Sequence, residues 1–266
     1  MTDQCRIADY HMHSTFSDDS QAPMETMVLR ALALGLDEVC FTEHVDYGVK
    51  TDTNCNYPAY FNELERLQAK YQGRIIIRRG IEFGVQLETV PQYETDAQSG
   101  GFDFILLSNH QIGNQEFWNQ EFQAGKSQEE VHTAYYRAIF NVMGRFRYYS
   151  VLAHLDMIKR YDSLGPYPDR KVLPLIKKIL RRAIGEGKGI EVNTSSFRYG
   201  LPDLTPSREI LELYHQLGGR ILTIGSDAHA PDQLGDHIPE VQAVLKDIGF
   251  REFCTFEQMQ PIFHPL

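Results

Sequence analysis

The chain has 266 residues, 42% of them hydrophobic, and its 26 basic and 36 acidic residues give a formal net charge of −10. This length and composition predict one domain, residues 1–266, with a substantial core. The acidic balance argues against binding a long nucleic acid, which needs clustered lysines and arginines, but allows a small anionic substrate held by metal ions.

The sequence shows neither a membrane span nor a secretory leader. No run of 18 apolar residues occurs, and "MTDQCRIADY" lacks a basic region followed by an apolar one. The four cysteines are widely spaced without a CxxC pair, which is typical of reduced thiols. We therefore predict a cytoplasmic protein without a membrane partner; a homo-oligomer is compatible with the sequence. The cysteines are Cys5, Cys40, Cys55 and Cys254.

Short apolar runs recur along the chain, and several of them are apolar without alternation. Such runs are typical of strands that are buried on both faces of a parallel sheet. In chain order they are "RIADY", "DEVCFT", "RIIIRRGIE", "FDFILLS", "YYSVLAH", "KGIEVN" and "RILTIGS".

Helical patterns lie between these runs, at residues 23–35, 60–73, 127–146, 169–187, 205–219 and 232–249. Ser127 and Glu130 form a capping-box pattern, and Thr205 with Pro206 predicts an N-cap followed by the first helical residue. Seven apolar runs alternating with helical patterns indicate an α/β barrel of parallel strands, one strand short of the common eight. A doubly wound sheet is the competing topology.

Most histidines lie at or just past the end of a predicted strand, in the company of acids. In an α/β barrel these carboxyl-terminal strand ends open onto one face, where active sites lie. Each residue alone has an ordinary structural reading, but so many buried polar groups together would lack partners without a ligand. The histidines are His11, His13, His44, His110, His154 and His229, and the acids are Asp9, Asp18, Glu43, Glu82, Asp156, Glu191 and Asp227.

Imidazole and carboxylate are the ligand set of zinc, iron and manganese, and the set exceeds what one ion needs. We therefore expect two or three divalent metal ions. The remaining histidines are expected outside the site: His132 and His215 lie in helical patterns, His237 in a loop and His264 in the tail.

The motifs "DYHMHSTFSDDS", "FTEH", "GIEFG", "LSNH", "LAHLD" and "GSDAH" resemble, in this order, those of the polymerase and histidinol phosphatase (PHP) family. Amidohydrolases also begin with HxH, but they usually add a carboxylated lysine at a strand end, and no lysine stands there in this chain. The segments "LSNHQIG", "AHLDMIKRYD" and "EVNTSSFRYG" resemble the histidinol-phosphate phosphatases within the family.

This resemblance implies a distorted (β/α)7 TIM-like barrel with a trinuclear metal centre at the carboxyl ends of the strands. It implies that His11, His13, Glu82 and Asp227 hold the first metal, and that Glu82, His110 and His154 hold the second. It implies that Asp18, His44 and His229 hold the third, with the adjacent Asp19 as the alternative to Asp18.

The resemblance also implies hydrolysis of L-histidinol phosphate in histidine biosynthesis, with Asp227, Glu82 and His229 as catalytic residues. Metal ions would lower the pKa of a water nucleophile and neutralise phosphoryl oxygens. Asp227 is the candidate for carrying a proton to the leaving alkoxide.

Substrate contacts are predicted from residue chemistry. Arg160 and Arg198 follow predicted strands, and their planar guanidinium groups suit phosphoryl oxygens. The substrate's ammonium and imidazole need acids or aromatic rings. The candidates for these are Glu43, Glu116, Phe117 and Trp118.

The segment at residues 113–125 is interpreted as either a lid or a packed apolar loop. Glu191 and Asn193 are candidates for orienting the ligand histidines.

Two alternatives stay open at this stage. The first is a PHP-family phosphatase or phosphodiesterase for another substrate, such as phosphotyrosine, a nucleotide or an oligonucleotide end. The second is a metal-bound scaffold without catalytic turnover.

Overall fold

The computed structural model describes residues 6–266, and its centre is a nearly closed barrel of seven parallel strands. The barrel order is β1-β2-β4-β5-β8-β9-β10, and β3 pairs with the carboxyl-terminal part of β4. The strands are β1 (Ala8–Met12), β2 (Glu38–Phe41), β3 (His44–Val45), β4 (Ile76–Gly84), β5 (Phe104–Ser108), β6 (Gln111–Ile112), β7 (Gln115–Glu116), β8 (Val151–Leu152), β9 (Gly189–Asn193), β10 (Leu222–Gly225), β11 (Glu252–Glu257) and β12 (Gln260–Pro265).

The predicted barrel is therefore confirmed, and each of the seven apolar runs overlaps one of its strands. Every residue of β5 and β9 is buried. This burial follows from the architecture, because helices cover the outer face of the barrel and side chains fill its interior.

The helices that surround the barrel follow the predicted patterns with two main differences. They are α1 (Met24–Leu34), α2 (Tyr57–Lys70), α3 (Val90–Ser99), α4 (Gln128–Met143), α5 (Leu173–Gly185), α6 (Ser195–Arg198), α7 (Arg208–Gln216) and α8 (Ile238–Ile248). The capping box of Ser127 and Glu130 is present, and both of its reciprocal hydrogen bonds form.

The first difference concerns the start of α7. The helix begins at Arg208 with Ser207 as N-cap, so the prediction of Thr205 at this position is wrong. Thr205 instead accepts a hydrogen bond through its carbonyl from the Asn193 amide at 2.7 Å, which keeps it in an extended segment beside β9.

The second difference is that α3 and the β11–β12 hairpin have no counterpart among the predicted elements. Helix α3 buries only Val90 and Tyr93, so its apolar stripe is too narrow to be recognised. The hairpin packs across the amino-terminal end of the barrel, where the Phe256 ring contacts the Phe104 ring and Glu257 pairs with Arg78. The opposite end of the barrel is left open.

Within residues 6–266, no helix is long and apolar enough to cross a membrane. Cys40, Cys55 and Cys254 are free and buried, whereas Cys5 lies outside the described residues.

Asp9 lies at the seam between β1 and β10, where the barrel closes. Its buried carboxylate accepts hydrogen bonds from the Ser226 amide at 2.9 Å, the Ser226 hydroxyl at 2.5 Å and the Gly235 amide at 2.9 Å. The backbone continues this closure, because the His13 amide donates to the Ala228 carbonyl at 2.8 Å. Asp9 thus ties the first strand to the loop after the last strand.

We expect Asp9→Ala to lower the free energy of unfolding by about 3 kcal/mol, because several buried donors would lose their acceptor. Urea denaturation measures the loss, and Asp232→Ala, at an exposed position in the loop after β10, is the control that should not change stability. A loss below about 1 kcal/mol for Asp9→Ala would show that other contacts close the seam.

Candidate metal centre

The open end of the barrel gathers all six of the histidines predicted at strand ends. His11 lies on β1 and His44 on β3, and the others follow β1, β5, β8 and β10. The His13 ring stacks on the His44 ring at 4.1 Å and on the His229 ring at 4.2 Å between centroids. The His154 ring lies 5.6 Å from both the His11 and the His110 rings.

Glu82, at the carboxyl-terminal part of β4, lies between two groups of histidines. Its Oε1 is 2.8 Å from His154 Nε2 and 3.1 Å from His110 Nε2. Its Oε2 is 3.1 Å from His11 Nε2 and 3.5 Å from His13 Nε2. Each carboxylate oxygen therefore serves a different group, which is the arrangement that a bridging ligand needs.

Asp227, in the loop after β10, completes the first of these groups. Its Oδ1 is 3.6 Å from His11 Nε2 and 3.6 Å from His13 Nε2. Two imidazole nitrogens and two carboxylate oxygens thus converge on one point, a donor set that suits a divalent transition metal.

A third group contains His44 and His229, and here the structure moves the predicted acid from Asp18 to Asp19. Asp19 Oδ2 is 3.4 Å from His44 Nε2 and 3.2 Å from His229 Nε2. Asp18 instead contacts the Lys50 amine at 3.2 Å and the Thr53 hydroxyl at 3.4 Å. Adjacent residues of the turn point in different directions, so only Asp19 faces the histidines.

The hydrogen-bond partners of several histidines place a proton on Nδ1, so Nε2, which points toward the centre of the cluster, is the atom that a metal would bind. His11 Nδ1 is 2.6 Å from Glu191, His110 Nδ1 is 2.9 Å from Asp46, and His13 Nδ1 is 3.1 Å from the Ser17 hydroxyl. The buried Nε2 of His13 has no hydrogen-bond partner within residues 6–266. A neutral imidazole with a buried, unpartnered Nε2 fits a metal ligand.

The charges of the cluster depend on one another. Burial and the neighbouring His44 and His229 hold the pKa of His13 well below its usual range. Burial alone would raise the pKa of Glu82 and of Asp227, but the surrounding histidines outweigh it and lower both pKa values well below normal. The acids are therefore ionised and require cations around them.

Glu191 contacts two of the clustered histidines at once, which agrees with the prediction that it orients them. One of its oxygens contacts His11 Nδ1, and the other accepts from the His154 amide at 2.8 Å and from Asn193 Nδ2 at 3.2 Å. Asp46 orients His110 in the same way, but the sequence analysis missed it. The available signal was its position directly after β3, one residue beyond Val45.

Glu43 does not line the cavity, so the structure does not support its predicted role in contacting substrate. Its buried carboxylate accepts from the Ser14 amide at 3.0 Å, the Ser14 hydroxyl at 2.6 Å and the Ser17 hydroxyl at 2.7 Å. Since the Ser17 hydroxyl also contacts His13 Nδ1, Glu43 acts on the site through Ser17 and His13.

Asp156 and the four remaining histidines also lie outside the metal centre. Asp156 is buried against the Lys159 amine at 2.7 Å and the Ser207 amide at 3.0 Å, and this network anchors the loop after β8. His132 lies on helix α4, and its Nε2 is 2.7 Å from Asp162 Oδ2. Within residues 6–266, His215, His237 and His264 belong to none of the clusters of side chains that could bind a metal ion.

A cavity of about 480 Å³ lies above the cluster. Of the predicted substrate residues, Arg160, Arg198, Glu116, Phe117 and Trp118 line it. Several other lining residues were not predicted from the sequence: Lys50, Met157, Tyr161 and Tyr199.

The segment at residues 113–125 matches the second of its two interpretations, a packed apolar loop. Phe117 is buried, with its ring packed against Phe122 and Tyr135, whereas Trp118 is 62% exposed at the cavity mouth. Gln120 Nε2 donates to the Tyr161 carbonyl at 2.9 Å and so ties the segment to the loop after β8. The segment is a packed wall of the cavity with an exposed rim.

Comparisons with known proteins agree with this geometry. A family model described as the PHP domain matches residues 9–195. The chain is 35% identical over 259 residues to the histidinol-phosphatase of Lactococcus lactis subsp. lactis, covering 95% of both proteins. It is 32% identical over 249 residues to the probable histidinol-phosphatase of Thermotoga maritima, covering 92% of this chain and 93% of that protein.

Solved structures show the same similarity. The histidinol phosphate phosphatase of Lactococcus lactis, in a complex with zinc, L-histidinol and phosphate, has a TM-score of 0.89 at 33% identity, covering 97% of this chain and 100% of that one. The putative histidinol phosphatase of Listeria monocytogenes has a TM-score of 0.75 at 19% identity, covering 88% of this chain and 99% of that one, and supports the fold alone.

We expect Glu82→Gln to weaken metal binding by more than about 100-fold, because one neutral amide would replace the two anionic oxygens that serve two ligand groups. Elemental analysis after dialysis against a weak chelator measures the retained metal. Glu88→Gln changes an exposed glutamate shortly after the same strand and should keep the full metal content. Equal metal content in both variants would remove Glu82 from the centre.

Metal binding should also release protons. Burial disfavours the charged form of His44, but Glu82 and Asp19 outweigh burial and raise its pKa to about 9 in the metal-free protein. Below that pH the ring holds a proton that a metal must displace, so the apparent metal affinity should fall as the pH falls. Calorimetric titration with Mn²⁺ at about pH 7, in buffers of different ionisation enthalpy, should detect the proton release. Heats that do not depend on the buffer would contradict this.

Proposed function

This chain belongs to the PHP domain family, as its motifs predicted, and we propose that it hydrolyses L-histidinol phosphate to L-histidinol and phosphate in histidine biosynthesis. The observation that carries the proposal is the similarity, over 97% of the chain, to an enzyme whose structure contains zinc, L-histidinol and phosphate. The clustered ligand groups of this chain provide the matching chemistry. We assign the activity to a single domain of residues 1–266.

The proposed centre holds three divalent ions, with zinc as the first candidate and iron or manganese compatible with the same ligands. His11, His13, Glu82 and Asp227 would hold the first ion, and Glu82, His110 and His154 the second. Asp19, His44 and His229 would hold the third. When bound, such ions supply an activated water nucleophile and neutralise phosphoryl oxygens.

The three proposed catalytic residues act at the floor of the cavity. Glu82 holds two ligand groups at a fixed separation through its two oxygens. His229 faces the cavity with its ring 24% exposed, and its Nδ1 is 3.0 Å from the Asp227 carbonyl. We assign to Asp227, whose carboxylate lines the cavity, the transfer of the proton of the attacking water to the leaving alkoxide.

The walls of the cavity offer groups for each part of the substrate. Arg160 and Arg198 are assigned to the phosphoryl oxygens, since both line the cavity next to Asp227. Glu116 is assigned to the ammonium group and Trp118 to the imidazole ring, because both lie at the mouth of the same cavity. A cavity of about 480 Å³ suits a small phosphorylated molecule, which disfavours a long nucleic acid as substrate.

A substrate panel on metal-loaded protein tests the proposal. We expect kcat/KM for L-histidinol phosphate to exceed that for phosphotyrosine, nucleotides and a phosphodiester by at least about 100-fold. Histidinol phosphate offers an ammonium and an imidazole without a carboxylate, whereas Glu116 would repel the carboxylate of phosphotyrosine, and nucleotides and a simple diester lack the ammonium. Even hydrolysis across the panel would mean that the substrate is another phosphate ester, and no phosphate release at all would mean a scaffold.

The variant Glu116→Gln sharpens the test. It should lower kcat/KM for histidinol phosphate by about 10-fold or more, because a charge-assisted hydrogen bond to the ammonium would be lost. It should leave hydrolysis of a simple aryl phosphate unchanged, and an equal loss on both substrates would argue against an ammonium contact.

A further inference from the structure

The two arginines of the cavity come from different segments and approach one aromatic ring. Arg160 lies in the short 3-10 helix Met157–Tyr161 after β8, and Arg198 is the last residue of α6, directly before Tyr199. The Arg160 guanidinium carbon is 3.8 Å from the centroid of the Tyr199 ring, and that of Arg198 is 5.6 Å away. All three residues line the cavity above the metal centre.

The two arginines are anchored to different degrees. Arg198 Nη2 donates to the Asp227 carbonyl at 2.8 Å and to the Ser226 carbonyl at 3.4 Å, so the backbone holds it. The Arg160 side chain is 8% exposed, and its Nη2 donates to the Ser195 hydroxyl at 2.6 Å. The buried Nε of Arg160 has no hydrogen-bond partner within residues 6–266. Arg160 therefore has spare donors and depends more on stacking.

A nearby carboxylate competes for Arg160. Asp227 Oδ2 is 3.6 Å from Arg160 Nη2, close enough for attraction but longer than a hydrogen bond between a guanidinium and a carboxylate. A small rotation of the guanidinium would close this gap and form a direct ion pair. That pair would occupy both Asp227, which the metal centre needs, and the donors that a phosphoryl group needs.

We infer that Tyr199 is a positioning residue that holds Arg160 flat against its ring, away from Asp227, with the guanidinium donors available to phosphoryl oxygens. The inference rests on the proposed phosphatase function. The physical basis is the attraction between a guanidinium and the face of an aromatic ring, which is stronger when the cation is removed from water. Stacking uses the face of the guanidinium and leaves its N–H edges free to bind oxygens.

The ring of Tyr199 performs this role, and its hydroxyl does not. Within residues 6–266 the Tyr199 hydroxyl makes no hydrogen bond, and the contacts of the residue with Arg160 and Arg198 involve the ring. A phenylalanine at this position should therefore preserve the stacking, whereas a leucine should abolish it. Comparing these two variants distinguishes the positioning of Arg160 by the aromatic ring from a general loss of packing at residue 199.

The test measures phosphate binding directly as well as turnover. Calorimetry would give the Kd of inorganic phosphate for the metal-loaded wild type, Tyr199→Phe and Tyr199→Leu, and steady-state kinetics would give KM and kcat for L-histidinol phosphate. Tyr148→Leu is the matched control, because Tyr148 is also an exposed tyrosine, at 41% against 51% for Tyr199, and lies outside the cavity lining. Metal content and thermal midpoint are recorded for every variant.

We expect Tyr199→Leu to raise the Kd of phosphate and the KM of the substrate by about five- to tenfold, with kcat within about twofold and metal content unchanged. Tyr199→Phe and Tyr148→Leu should both stay within about twofold of the wild type. An unchanged phosphate Kd in Tyr199→Leu would overturn the inference, and so would an equal loss in Tyr199→Phe or a loss of metal. If phosphate binding follows the expected pattern while histidinol phosphate is not hydrolysed, the positioning role stands and the proposed substrate fails.

Discussion

The rest of the structure depends on one electrostatic constraint, the burial of ionised carboxylates beneath a cluster of imidazoles. Glu82 is fully buried and Asp227 nearly so, and the pKa of each is held well below its usual range by histidines. A buried anion is stable only with a compensating cation and hydrogen bonds. In the metal-free protein those cations are protonated histidines such as His11 and His110. Burial lowers the pKa of each ring, but the nearby carboxylates outweigh burial and raise it well above its usual range. Protons and metal ions therefore compete for the same positions.

The barrel brings the carboxylates and imidazoles together at its strand ends, and small residues leave the space that these side chains need. Parallel strands bring residues from distant parts of the sequence to one face, and no single strand supplies more than a few of the clustered groups. Two glycines leave the necessary space. A side chain at Gly225 would collide with His11 and Glu191, and one at Gly84 would collide with Asp46 and His110. The absence of a side chain at these positions allows the carboxylates to reach the histidines that they orient.

The sequence predicts the residues of this site that lie at strand ends. It does not predict those whose orientation depends on the conformation of a loop. The seven strands and the six histidines could be recognised, because strand ends fix the direction of the side chains that follow. Asp18 and Asp19 could not be separated, since an irregular turn determines which one faces inward. The position of Glu43 could have been predicted, because neighbours in an extended segment point to opposite sides and His44 faces the cavity. Tyr199 acts through a contact between two separate segments, which no pattern in one segment reveals, whereas the position of Asp46 directly after β3 was an available signal.

The distribution of charge explains why ions and arginines act together. The chain carries a net charge of −10, and the floor of its cavity holds Asp19, Glu82 and Asp227, so a doubly charged phosphate ester would be repelled by the bare carboxylates. Arg160 and Arg198 supply two positive charges, but Arg160 is already within reach of Asp227. Cations bound to the floor would reverse the local field and release Arg160 from this competing attraction. In the proposed function, metal binding and phosphate binding would therefore be coupled through Asp227, with the stack of Arg160 on Tyr199 between them.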